Sequence, residues 1–260
     1  MGWSMAKTHV VQAQTALAAA GYYNGKIDGD FGGGSLRAVQ NLIDNTDKAV
    51  DILSKPDVAE PVDKKLSKAD IIAVANDLKI EPAALKAVID VEAAGNGFDN
   101  QGRPTILFEP HVFWDELGKI HYYTKRAELA KKHKGLLSPK WDKSLYRIGG
   151  SSHDKLKIGA DLHWEAAHKS ASWGLGQIMG FNAQKIGYAT LKDFIDDMYE
   201  GEAKQLKAMG MFLKANGLIS KLQRHDWAGF ARGYNGSAYA INQYDTKLAA
   251  ADKINKQQGW

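Results

Sequence analysis

Within PAALKAVIDVEAAG (residues 82–95), Leu85, Val88, Ile89 and Glu92 fall at positions i, i+3, i+4 and i+7. A helix there sets a carboxyl group in the middle of an apolar stripe. Glu92 also lies in the last turn before Gly95, where the partial negative charge of a helix C-terminus disfavours an anion. Partial burial and the dipole both raise a carboxyl pKa. An acid that keeps its proton near neutral pH can pass it to a departing oxygen, and breaking a glycosidic bond demands such a donor. From the helix alone a second reading stays open, in which Glu92 reaches solvent past the stripe or pairs with an arginine.

The elements that must position this acid are mostly helices. Ser67-x-x-Asp70 and Thr190-x-x-Asp193 have the spacing of capping boxes, and Glu81-Pro82 opens the helix that Gly95 closes. Further helical patterns cover about residues 200–215, 225–232 and 242–256. Between residues 98 and 108 the glycines and Ile106-Leu107-Phe108 predict a small strand or hairpin. No recurring alternation of strand and helix supports a parallel sheet. Nearer the N-terminus, a helix over about residues 9–20 stops at Gly21, and turns at Asn24-Gly25 and Asp28-Gly29 lead to a second helix over 35–45 and a third segment near 48–53. Pro56 and Pro61 mark a linker, since proline disfavours continuing helix. The expected organisation is a small domain at 5–55, a linker at 56–66 and a larger domain at 67–260.

Composition narrows the function classes. With 260 residues, two unequal domains are a reasonable prior, and 44% hydrophobic with 25% charged residues excludes a disordered chain. No cysteine is present, so thiol nucleophiles and cysteine-ligated zinc are out. The net charge of +4 is mild and scattered, which suits a polyanionic surface and does not favour nucleic acid. No apolar run approaches the roughly 20 residues of a membrane span, and no basic-then-apolar secretory signal opens the chain. The protein is therefore expected in the cytoplasm until something releases it. His163 and His168 are five apart and diverge on a helix, unlike H-E-x-x-H, so no metal is expected. Gly174-x-Gly176 lacks the strand and βαβ context of a dinucleotide loop, and Gly32-Gly33-Gly34-Ser35 lacks the lysine of a phosphate loop. These glycines are expected to form a turn at 32–34 and to admit a ligand closely at 174–176.

Three sets of motifs carry family resemblances. LAAAGYYNGKIDGDFGGGSLRAVQNLI resembles the peptidoglycan-binding repeat of wall hydrolases, keeping Gly21-Tyr22, Asp28-Gly29, Phe31-Gly32 and Ala38-Val39-Gln40, with Ser35 and Leu42-Ile43 where Thr and Phe-Gln are commoner. SWGLGQIM (172–179) and ARGYNG (231–236) resemble the SxxGxGLxQI and AYNxG motifs of the lysozyme and lytic-transglycosylase superfamily. VEAAGNGFDNQGRPTILFEPHVFW is similar to the N-acetylmuramidase domain of modular phage endolysins, with Pro110 standing where an arginine is usual. This last likeness covers about residues 66–252.

The resemblances imply a mainly α protein: a small three-helix peptidoglycan-binding domain followed by a larger lysozyme-like helical domain with a small β element. They imply Glu92 as catalytic acid, with Trp173, Gly174, Gln177, Tyr234, Asn235 and His111 on the substrate cleft. Tyr22, Asp28 and Phe31 would belong to the wall-binding module. Asp99, Glu109 and Asp161 are candidates for a second carboxylate, and Glu109 is equally open as the partner of Arg103. The long segment between Glu92 and Ser172 is expected to form an extra subdomain over the cleft. Of the tryptophans at 114, 141, 164, 173 and 227, Trp173 is expected at the cleft and the others mainly in the core. The implied activity is cleavage of the β-1,4 bond between N-acetylmuramic acid and N-acetylglucosamine by a cofactor-free monomer acting on peptidoglycan. A lytic transglycosylase, or a non-catalytic wall-binding or virion protein, is the alternative.

Overall fold

The computed structural model describes residues 7–19, 21–30, 32–43, 64–92 and 96–260. The expected helix at 48–53, most of the linker, Phe31 and Gly95 lie outside them. The chain divides into two compact units, Met1–Val62 and Asp63–Trp260.

In the first unit α1 (Lys7–Ala19) and α2 (Gly33–Ile43) pack through Leu17, Ala38 and Leu42, with Tyr22, Tyr23 and Val39 against them. Gly21 takes φ +79°, a left-handed conformation open to glycine, and ends α1 while Tyr22 N–H bonds back to the Leu17 carbonyl. The loop that follows is organised by Gln14, fully buried on α1. Its Oε1 accepts from the Gly29 and Asp28 amides at 2.9 and 3.2 Å, and its Nε2 lies 3.2 Å from Asp28 Oδ1 and 3.1 Å from Ser35 Oγ. One buried carboxamide thereby satisfies a loop too short to satisfy itself.

The second unit opens with α3 (Lys68–Asp77), whose Ser67/Asp70 capping box forms as its spacing predicts. Next, α4 (Pro82–Glu92) is buried along Ala83, Ala84, Leu85, Ala87, Val88 and Ile89, and the long C-terminal helix α12 (Tyr244–Gln257) packs along it. Between them in sequence come α5 (Pro110–Lys119), α6 (Tyr123–Lys132), α7 (Ser152–Lys169), α8 (Leu191–Glu200), α9 (Glu202–Ala215), α10 (Ile219–Gln223) and α11 (Trp227–Asn235).

The β element is larger than Ile106-Leu107-Phe108 alone. Strands β1 (Ile106–Phe108), β2 (Ala171–Trp173) and β3 (Ile178–Met179) form an antiparallel sheet with β2 in the middle. Leu107 pairs with Ser172, and Ser172 with Met179, while Ile106, Phe108, Ala171, Trp173 and Ile178 alternate inward to the core.

Two expectations are corrected here. The segment between Glu92 and Ser172 is no separate subdomain, because Phe108, Phe113, Leu117, Leu136 and Leu137 join the same hydrophobic cluster as Leu85, Val88 and Phe230. Nor does a continuous helix carry His163 and His168. At His163 the backbone is extended (φ −162°, ψ 101°), and the ring's Nδ1 accepts from the Ala166 amide, capping a restarted final stretch of α7.

Candidate active site

The acid sits where a buried helix runs out. Glu92 is the last residue of α4, half-buried, and its Oε1 accepts a 2.7 Å hydrogen bond from the Asn235 amide at the end of α11. Burial holds its pKa above the ordinary glutamate value, against the opposing effect of the Asn235 hydrogen bond. Among the described residues no arginine or lysine pairs with Glu92, and no second carboxylate contributes to the shift.

Tyr234, one residue before Asn235, donates its hydroxyl to the Gly176 carbonyl at 2.8 Å. Its ring stacks on Phe230 and meets Phe212 edge-on. Burial and then the Glu92 carboxylate push its pKa far above the usual tyrosine value, so the hydroxyl keeps its proton and remains a donor. The Tyr-Asn pair thus joins the acid to the turn between β2 and β3.

That turn is braced from inside the protein. Gln177, at φ +44°, gives its Nε2 to the Gly174 carbonyl at 2.9 Å and the Thr105 carbonyl at 3.3 Å, while its Oε1 accepts from Ser172 Oγ at 2.7 Å. Its carboxamide is occupied in holding the turn against β1. Gly174 has φ +64°, and a Cβ there would lie 2.7 Å from the Gln205 side chain; at Gly176 it would press on Ile178 and Met209. These glycines admit α9, where the sequence suggested a ligand.

The sequence reading missed Gln205 and Glu202, which anchor this region from α9. Gln205 accepts from the Leu175 amide at 2.9 Å and donates to the Gly97 and Met198 carbonyls at 3.1 and 2.8 Å. Glu202 accepts from the amides of Gly97 and Leu66 at 2.9 and 2.8 Å. Both side chains are buried, and both hold the loop just beyond Glu92. The signal available was two polar residues at i and i+3 on a helix whose other positions on that face are apolar.

Other expected residues lie elsewhere. Trp173 is completely buried, its indole N–H donating to the His168 carbonyl at 3.1 Å, so no face is free for a sugar. The inward alternation of β2 explains this correction. Asp99 anchors a tight turn: it binds Arg103 through Nε and Nη2 at 2.9 and 2.7 Å and accepts the Gln101 and Arg103 amides. Burial, which would raise its pKa, is outweighed by those hydrogen bonds, and its pKa is lowered. Arg103 is therefore taken by Asp99, and Glu109 instead accepts from the Tyr146 hydroxyl and lies 3.4 Å from His111 Nδ1. Asp161 is exposed on α7. His111 lines a hollow with Tyr123, Arg126 and Phe181. In the first unit Asp28 accepts from its own loop amide at Asp30, and Tyr22 packs on the small core.

Among the described residues one group could converge on a metal, Glu81, His225 and Asp252. The Lys256 ammonium lies in its midst, 2.8 Å from Glu81, 3.1 Å from Asp252 and 3.2 Å from His225 Nε2. The chain's own cation balances this cluster.

Comparison with known proteins identifies the family of the unit that carries Glu92, Tyr234 and Asn235. The N-acetylmuramidase family model matches residues 81–255. The crystal structure of Burkholderia AP3 phage endolysin is similar over 96% of both chains, at 30% identity with a TM-score of 0.65. No curated protein matches the chain. With a mainly α, lysozyme-like fold and a family match spanning the acid, the sheet and the Tyr-Asn pair, the chain belongs to the N-acetylmuramidase family and is a peptidoglycan hydrolase of the glycoside hydrolase class.

Proposed function

We propose that Glu92 is the general acid of this hydrolase. It protonates the glycosidic oxygen as the β-1,4 bond from N-acetylmuramic acid to N-acetylglucosamine breaks, and water completes the reaction to leave a reducing muramic acid end. The observation that carries this reading is the half-buried Glu92 carboxyl with a raised pKa and one hydrogen bond, from Asn235. As the proton leaves, the Asn235 amide stabilises the carboxylate that forms. Tyr234, tied to Gly176, keeps this corner at a fixed distance from the sheet. Gln177 acts by shaping the turn, and His111 offers a sugar contact in the hollow it lines with Tyr123 and Arg126.

The expected domain at residues 5–55, within the first unit, is assigned as a wall-binding module joined by the linker at 56–66 to the catalytic domain at 67–260. Tethering raises the local concentration of wall at the acid. The whole would act as a monomeric endolysin, accumulating in the cytoplasm of a phage-infected bacterium and meeting peptidoglycan once the membrane is breached. Among the described residues no helix is long and apolar enough to cross a membrane.

Digestion of purified peptidoglycan by the native chain and by Glu92→Gln, followed by mass spectrometry and a reducing-end assay, tests the reading. Reducing muramic ends, lost with the substitution, are expected. Anhydro-muramic ends would make the enzyme a lytic transglycosylase, and undiminished cleavage by the variant would remove Glu92 from the mechanism.

A further inference from the structure

Two large aromatic side chains of the catalytic unit stand in solvent close together. Trp164 is 44% exposed and Phe181 45%, and both line one hollow with Glu165, Lys169, Gln184 and Thr190. Neither is loosely placed. The break at His163 restarts α7 at Trp164, whose ring stacks on His168 at 4.2 Å between centroids, and His168 lies nearly parallel to the buried Trp173 at 5.7 Å. His168 Nδ1 contacts the Trp164 carbonyl at 2.7 Å, and Trp173 donates to the His168 carbonyl. The outermost ring of a three-ring pile anchored in the core therefore turns its free face to water.

Phe181 is brought beside it by Gly180. A Cβ at Gly180 would come within 2.1 Å of the His168 carbonyl oxygen, so only glycine lets the end of β3 approach the end of α7 this closely. The rim charges are largely balanced: Lys169 pairs with Glu165 at 2.6 Å, and Lys192 with Asp196. Flat aromatic faces beside amide, hydroxyl and internally paired charges match a neutral polyhydroxylated ring better than an anion or a lipid surface.

The shelf is linked to the active-site corner through β3. Leu107, Ser172 and Met179 share one face of the sheet in register. At one end of β3 lies Gly176, bonded to Tyr234, and at the other Gly180, with at most about 14 Å of chain between them. We propose that Trp164 and Phe181 form a saccharide-binding shelf that holds N-acetylated sugar rings of the glycan strand away from the bond cut at Glu92. The proposal rests on the peptidoglycan hydrolase assignment and adds to it a site that favours long strands over short ones.

The test measures binding of peptide-free glycan strands and of a short chito-oligosaccharide to the full chain carrying Glu92→Gln, which binds without turnover. Adding Trp164→Ala or Phe181→Ala is expected to weaken long-strand binding about 10-fold and leave the short ligand unaffected, while Trp164→Phe keeps most of the affinity. Phe181→Ala alters an exposed side chain and serves if Trp164→Ala perturbs the ring pile. Equal affinity of all variants for long strands would overturn the shelf, as would an equal loss for both ligands, which would signal general damage or a place among the scissile-bond contacts. Failure of the parent chain to cut glycan strands would count against the hydrolase reading instead.

Discussion

Glu92 and Asp99 stand seven positions apart in the chain, yet their surroundings move their pKa values in opposite directions. Glu92 ends a buried helix and, among the described residues, receives one neutral amide hydrogen bond, so burial prevails and its pKa is raised. Asp99 receives a guanidinium fork and two backbone amides, which together outweigh burial and keep it ionised. A carboxyl becomes an acid catalyst through what is withheld from it: a cation, and enough donors to satisfy the anion.

The most direct way to break this comparison is to neutralise each in turn. Glu92→Gln is expected to lower glycan cleavage at least ~100-fold, as loss of a general acid does, whereas Asp99→Asn should leave cleavage within a few-fold and lower thermal stability. Release of reducing ends and the unfolding midpoint, measured on both variants, check the contrast. Comparable activity losses would remove the distinction between catalyst and structural anchor.

Asn235→Ala sharpens it. The Asn235 hydrogen bond lowers the Glu92 pKa, so its loss should move the alkaline limb of the pH-activity profile to higher pH and cut the maximal rate about 10-fold. An unchanged alkaline limb would mean that Glu92 does not set it.

Stability should follow pH in opposite directions at the two sites. For Glu92 the folded pKa lies above the unfolded one, so the native state binds more protons between the two values and stability falls as pH rises through that window. For Asp99 the folded pKa is depressed; its contribution is present above the unfolded value near 3.8 and is lost as pH falls through the folded one. Above the raised Glu92 pKa, Glu92→Gln is therefore expected to unfold at an equal or higher temperature than the native chain, and below the usual glutamate range the difference should vanish. Calorimetry across pH reads this directly.

The smallest expected change in chemistry comes from Gln205→Leu, which takes the acceptor from the Leu175 amide and the side-chain donor from the Met198 carbonyl, while the Gly97 carbonyl keeps the Thr105 amide. A loss of about 1–3 kcal/mol is expected from such unsatisfied buried groups, measured by urea unfolding, with kcat reduced only in so far as the turn moves relative to Glu92.

Much of this was legible in the sequence for local reasons. Capping boxes at Ser67 and Thr190 formed as written because their hydrogen bonds are made within one turn. Glu92 could be placed within an apolar stripe because helix periodicity converts spacing into direction. Tyr234 and Asn235 were identifiable only through a resemblance, since nothing local says that a helix end 143 residues away meets Glu92. The misplacement of Trp173 came from assigning the glycine-rich motif to a cleft without first assigning β2, whose alternation turns that ring inward.

What the sequence by itself determined was the helical framework, the chemical type of the acid and the side of its helix, all set by short-range sterics and hydrogen bonding. Tertiary structure alone decided which carboxyl has its pKa raised, which glutamine braces which turn, and that Trp164 instead of Trp173 faces solvent. Burial and partnership depend on elements far apart in the chain arriving at one place, and the energy of a buried polar group is set by that arrival.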